Sequence, residues 1–246
     1  MERSLAWLLV LASSSFLVAC KKSDDHGAEP GELGRGTFKY ACGQGGADAQ
    51  CNDDADLAIV DPSTNLPSVA LSSTFNVGFL PNDDSDGTLR GTQTGDADFL
   101  AIDSSVGSAQ YVAERTGYVA VIGLDDHPLD LVHVKIESID HLEFANTNPS
   151  AGGTLKGQVT VPGLTISASA SSAPTMLVRV VPMTADRRLL AGALACKWTT
   201  SDATIVAIDG GATQNIVKVD LLKNGTATLH VTLGALSGDV TLTVGA

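Results

Sequence analysis

The chain has 246 residues, enough for one large or two ordinary domains, since single cores commonly close at about 100 to 150 residues. Aromatic residues make up only 4% and charged residues 17%, with Gly, Ala, Ser, Thr and Val abundant, a balance that favours β structure built from small side chains. The net charge of -13 repels phosphate backbones and anionic headgroups, which argues against a nucleic-acid partner and a polybasic membrane patch.

The chain opens with Arg3, an apolar run from Leu5 to Val18, and small residues before Cys20. That run is too short to cross a bilayer and has the three-part build of an export signal, so residues 1–19 are set aside from the fold as a signal peptide. Leu17-Val18-Ala19-Cys20 resembles the lipobox of bacterial lipoproteins. The resemblance implies that Cys20 is acylated, becomes the new N-terminus and anchors the protein to a lipid bilayer. Lys21 after the cysteine resembles an outer-membrane rather than an inner-membrane sorting signal. Residues 20–36, through "KKSDDHGAEPGELGRG", mix charge, Gly and Pro without apolar periodicity, and composition predicts a disordered tether.

Residues 37–137 are expected to form a first domain. An exported chain meets an oxidising compartment, so Cys42 and Cys51 in "CGQGGADAQC" are a disulfide candidate. Cys196, two residues before Trp198 on the same strand face, is expected to be a buried thiol, its rival being a cross-domain pairing with Cys42 or Cys51. Asn82, Asp84 and Asp86 alternate ahead of Gly87 like the opening of a calcium loop. The twelfth position is Gln93 in place of a bidentate Glu, and Arg90 intrudes, so a polar hairpin loop is preferred and no metal or other cofactor is assigned. The five histidines are scattered, with His133 and His230 at outward strand positions.

Residues 138–246 are expected to form a second domain that repeats the first. "DADFLAID" from Asp96 returns as "DATIVAID" from Asp202. "VGFLP" at Val77 faces "VRVVP" at Val178, and "YVAVI" at Tyr118 faces "TATLH" at Thr226, while "DLVHV" at Asp130 is aligned with "DVTLT" at Asp239. Offsets drifting from 101 to 109 are what small loop insertions between matched strands produce. Within each unit apolar residues alternate with polar ones, as at Ala227, Leu229, Val231 and Leu233, which marks antiparallel sheets with one solvated face. The fold class is therefore all-β, two tandem immunoglobulin-like β-sandwiches.

"KWTTSDATIVAID", "NGTATLHV" and "GDVTLTV" together resemble the bacterial immunoglobulin-like domains of group 2. Residues 139 to 246 match that pattern well, whereas residues 37 to 137 have no Trp at the Trp198 position and Tyr118 where Thr226 stands. The resemblance implies surface display and a role in adhesion, binding or scaffolding, toward a protein or glycan partner. The alternative is a subunit of an envelope or secretion complex that docks a membrane partner. No Gly-x-Ser-x-Gly elbow or phosphate-binding glycine loop stands in the chain, so an enzyme or carbohydrate-binding module is the least motivated class.

Overall fold

The computed structural model describes residues 28–40, 66–83, 89–103, 110–146, 165–168, 175–209 and 215–245. All regular structure among them is β. The first sandwich sets a sheet of β1 (Ala28–Pro30), β2 (Gly36–Tyr40), β4 (Thr74–Pro81), β7 (Gln110–Ala113) and β6 (Leu100–Asp103), in that spatial order, against a sheet of β3 (Val69–Ala70), β9 (His127–Glu137), β8 (Gly117–Asp125) and β5 (Thr92–Thr94). The second sets β10 (His141–Asn146), β12 (Thr175–Met183), β15 (Ile216–Leu221) and β14 (Val206–Asp209) against β11 (Thr165–Ala168), β17 (Leu236–Val244), β16 (Gly225–Leu233) and β13 (Lys197–Thr200). In both, an early strand pairs antiparallel in one sheet, β2 with β4 and β10 with β12, and the next strand described runs parallel to the last strand of the other sheet, at β3–β9 and at β11–β17. That is the immunoglobulin arrangement, written twice.

Each sandwich has its own core. Period-2 alternation points Val119, Val121, Val132, Val134 and Ile136 into the first, and Ala227, Leu229, Val231, Val240, Leu242 and Val244 into the second. The bulky fillers differ. Trp198, packed edge-on against Phe144, fills the second core, whereas the matching position in the first is Thr92, whose hydroxyl bonds the Tyr111 hydroxyl at 2.8 Å. Volume lost there is made up from the opposite sheet by Phe38, Phe75, Phe79 and Tyr111, with ring centroids 4.9 Å apart for Phe38–Phe79 and 5.6 Å for Phe75–Tyr111.

The repeated octapeptide has a local cause. Thr94 Oγ1 accepts the Asp96 N–H, Asp96 Oδ1 accepts the Asp98 N–H at 2.9 Å, and the Asp96 carbonyl accepts the Leu100 N–H at 3.2 Å. Thr200 and Asp202 do the same to Asp202, Thr204 and Val206. The fourth residue then lies over a glycine in the left-handed half of φ space: a Cβ on Gly117 (φ 137°) would come 2.7 Å from Phe99, and one on Gly225 (φ 151°) 2.7 Å from Ile205. The phrase is a turn, a strand start and a cover for the glycine that opens the following hairpin.

Two expectations are corrected. Residues 28–36, assigned by composition to the tether, form β1 and a tight turn that belong to the first sandwich. The pairing of Asp130 with Asp239 is off by one residue: Gly117↔Ile136 in the first sandwich matches Gly225↔Val244 in the second, so Leu131 is the counterpart of Asp239 and Asp130 that of Gly238. Asp130 has the inward parity of Val132, Val134 and Ile136, which a one-residue slip in alignment reverses, and the irregularity between Gly123 and Leu124 lies just before it in β9. Asp239 is therefore exposed and Asp130 points inward, only 2% exposed.

Candidate functional site

A buried carboxylate next to a glycine-rich turn is the most specific polar feature of the first sandwich. "PGELGRG", Pro30 to Gly36, folds round Asp130: its carboxylate accepts N–H groups from Leu33 at 2.8 Å, Arg35 at 2.6 Å and Gly36 at 3.2 Å, besides that of Leu131 at 2.8 Å. Gly31 leaves room for it, since a Cβ there would lie 2.2 Å from the carboxyl carbon, and Gly34 takes the left-handed bend at φ 69°. Burial pushes the Asp130 carboxyl up, but the N–H groups of Leu33, Leu131, Arg35 and Gly36 outweigh it and hold the group below its ordinary value. The turn also crosses between sheets, because Glu32 donates its N–H to the Leu131 carbonyl at 2.9 Å while β1 pairs with β2. Asn82 completes it, donating its side-chain amide to the Gly34 carbonyl at 2.9 Å and its backbone N–H to that of Arg35 at 3.0 Å. We call this the N-terminal clamp.

The second feature is the junction. Only Ser138–Asp140 separate β9 from β10. Across it, Ala70 donates to the Ala191 carbonyl at 2.9 Å and Ala191 to that of Ser68 at 2.8 Å, while Thr74 and Ala193 exchange bonds of 2.9 and 2.7 Å. Ala70 is buried in the core of the second sandwich and Ala191 in that of the first. Gly192 at φ 110° passes so close to Ser73 that a Cβ would lie 2.0 Å from its hydroxyl. At the rim, Arg188 grips Glu137 with two bonds of 2.9 and 3.1 Å and Asp186 with a third of 2.7 Å. Burial raises the Glu137 carboxyl, yet hydrogen bonds from Arg188, Ser68 and Lys135 bring it down to about 2.

The sheet faces carry paired polar groups. His133 meets Glu32 at 2.5 Å, His230 meets Asp239 at 2.6 Å and His141 meets Asp140 at 2.9 Å, each on a different sheet and all at the surface. His133 and His230 thus lie outward, as alternation predicts. Cys196 is a free thiol in the second core, where burial pushes it up to about 12, out of reach for thiolate chemistry at neutral pH. Cys20, Cys42, Cys51, Asp84 and Asp86 lie outside the described residues, so the lipidation site, the disulfide candidate and most of the calcium candidate do too. Among the described residues no three His, Cys, Asp or Glu side chains converge in a metal-binding group. Sequence reasoning missed the clamp; its one local signal was the spacing of Gly31, Gly34 and Gly36, taken for flexible chain.

No protein-family model matches the chain, and no curated protein matches it. Solved structures do. Domains 5–6 of the S-layer protein SbsC align over 72% of this chain and 92% of that chain at 16% identity and a TM-score of 0.28. The adhesin InvE of Yersinia pseudotuberculosis aligns over 73% of this chain and 56% of its own at 12% identity and a TM-score of 0.30. The endo-fucoidan hydrolase MfFcnA4 of glycoside hydrolase family 107 aligns over 73% and 27% at 16% identity and a TM-score of 0.29.

Proposed function

We propose that the protein is a lipid-anchored component of a bacterial envelope, related to the group 2 bacterial immunoglobulin-like proteins, in which two sandwiches act as one stiff binding or scaffolding module. The observation that carries this reading is the junction. Two domains joined only by covalent linkage would swing on Ser138–Asp140, whereas here backbone bonds run both ways between residues 68–74 and 191–193 and each core takes in an alanine from the other side. A stiff two-domain rod holds a binding surface at a set distance and orientation from its anchor, which suits adhesion and scaffolding. The lipobox at Leu17 to Cys20 supplies the anchor, and Lys21 favours the outer membrane.

Two measurements test this reading. Mass spectrometry of the protein extracted from bacterial membranes is expected to find a mature chain beginning at Cys20 with acyl mass on it; an unmodified N-terminus elsewhere removes the anchor. Crosslinking on intact cells, followed by identification of the captured species, is expected to return a surface protein or glycan. Capture of one membrane protein at fixed ratio would favour the envelope-complex reading instead.

A further inference from the structure

The two sandwiches present the same sheet face with different chemistry, more apolar in the first. In the second, the outward cross-strand pairs of β16 and β17 are Thr226 with Thr243, Thr228 with Thr241 and His230 with Asp239, all polar. In the first, the matching pairs of β8 and β9 are Tyr118 with Lys135, Ala120 with His133 and Ile122 with Leu131. A hydroxyl pair has become an aromatic with a lysine, and an ion pair has become two aliphatics. Tyr118 is 65% exposed, with the Lys135 ammonium 5.8 Å from its ring centroid. The face continues into the clamp, where Glu32 lies along Leu131 and Leu33 is 63% exposed.

Chain length bounds the distance of the first sandwich from Cys20. Ala28 opens the first described strand, and seven residues, Lys21 to Gly27, lie between it and Cys20. Whatever path they take, they span at most about 25 to 29 Å, and a flexible chain of that length averages roughly 15 Å. The first sandwich is thus held within its own dimensions of the anchored residue. We infer that the outward face of β8 and β9, with Leu33 of the clamp, is a lipid-contacting surface that lays the first sandwich against the headgroups. Tyr and Leu at the rim of a face are the side chains that settle at a bilayer interface. The cations on it are already paired, Lys135 with Glu137 at 3.1 Å and His133 with Glu32, so the contact suits zwitterionic lipid, and the net charge of -13 opposes anionic lipid.

This surface rests on the lipid-anchor reading, and the test separates the two. The mature acylated protein, its acyl mass verified, is placed in phosphatidylcholine vesicles containing doxyl-labelled lipid, with an environment-sensitive fluorophore at Leu33→Cys or, in the second sandwich, Thr226→Cys, in a Cys42→Ser, Cys51→Ser background. The Leu33 label is expected to shift to the blue and to be quenched severalfold more than the Thr226 label, and less so as phosphatidylglycerol replaces phosphatidylcholine. Grafting the second sandwich's own residues, Tyr118→Thr, Ile122→His and Leu131→Asp, is expected to abolish the difference while circular dichroism stays unchanged; Tyr118→Thr alone, at an exposed position, is the milder form if the triple variant unfolds. Equal, aqueous signals from both labels on acylated protein overturn the surface alone. Missing acyl mass overturns the anchor and this surface with it, and a lipid-free dimer that shields Tyr118 overturns it in favour of a second copy.

Discussion

Replacing Asp130 with alanine is expected to unfasten the N-terminal clamp and with it the closed edge of the first sandwich. Four N–H groups converge on the carboxylate, at 2.6 to 3.2 Å. A hydrogen bond to a charged acceptor contributes about 1.5 to 3 kcal/mol, and a buried donor left unmet costs about 1 to 3 kcal/mol. The four do not add, because Leu33 and Arg35 are exposed and water replaces the lost acceptor there, whereas Gly36 is buried and its N–H stays unmet. The net loss is therefore about 3 to 5 kcal/mol, a large share of the roughly 5 to 15 kcal/mol that a domain possesses. With a urea slope of about 1 to 3 kcal/mol per molar, the unfolding midpoint of the first sandwich falls by about 2 M. Circular dichroism follows the whole fold while Trp198 fluorescence reports the second core, so the loss is read as a transition that moves away from the Trp198 signal. Asp130→Asn keeps the volume but loses the charge and is expected to cost less. The pH dependence has a definite sign: the folded carboxyl titrates below the ordinary value of 3.8, so its stabilisation is fully present above that value and is lost as pH falls through the lower, folded one. The gap between parent and Asp130→Asn narrows accordingly below about pH 4. An Asp130→Ala protein with the parent's midpoint, or amides of residues 33–36 that exchange without protection in the parent, would refute the clamp.

The remaining expectations concern the junction, the hairpin glycines and the thiol. Gly192→Ala, with φ at 110° and a Cβ set 2.0 Å from the Ser73 hydroxyl, is expected to cost about 2 to 4 kcal/mol and to open the junction, seen as a longer maximum dimension in small-angle scattering. Glu137→Gln is expected to cost only about 1 kcal/mol because Arg188 is half exposed, and since the folded carboxyl sits at about 2 against 4.5, that contribution is present above 4.5 and lost towards pH 2 in thermal melts. Gly117→Ala and Gly225→Ala, matched positions, should each lower the midpoint by an amount set by about 1 to 3 kcal/mol of backbone strain, whereas Gly91→Ala, in open space without positive φ, should not. Cys196 is expected to resist a thiol reagent in native protein at pH 8 and to react at the rate of unfolding once urea is added.

What could be read in the chain, and what could not, divides by the distance over which the cause acts. Strand existence was legible because alternation is local: β4 and β12 begin 101 residues apart, β6 and β14 106 apart, β8 and β16 108 apart, which are the offsets between the repeated phrases. The octapeptide was legible as a repeat because every interaction behind it, from the Thr94 hydroxyl to the Asp96 carboxylate, spans six residues or fewer, while its partner glycine follows in the next hairpin. "PGELGRG" was illegible for the opposite reason. Gly, Pro and isolated charges read as disorder when nothing nearby satisfies the backbone, and what satisfies it is a carboxylate 94 to 97 residues away. Asp130 in "PLDLVHV" was aligned with the outward Asp239, and the slip of one residue hid that it shares the inward parity of Val132, Val134 and Ile136. The two misreadings meet at one residue: the inward carboxylate of Asp130 is the acceptor round which the glycine-rich turn folds. The first described strand then opens at Ala28, with seven residues between it and Cys20, where the composition of residues 21–36 suggests a tether of sixteen.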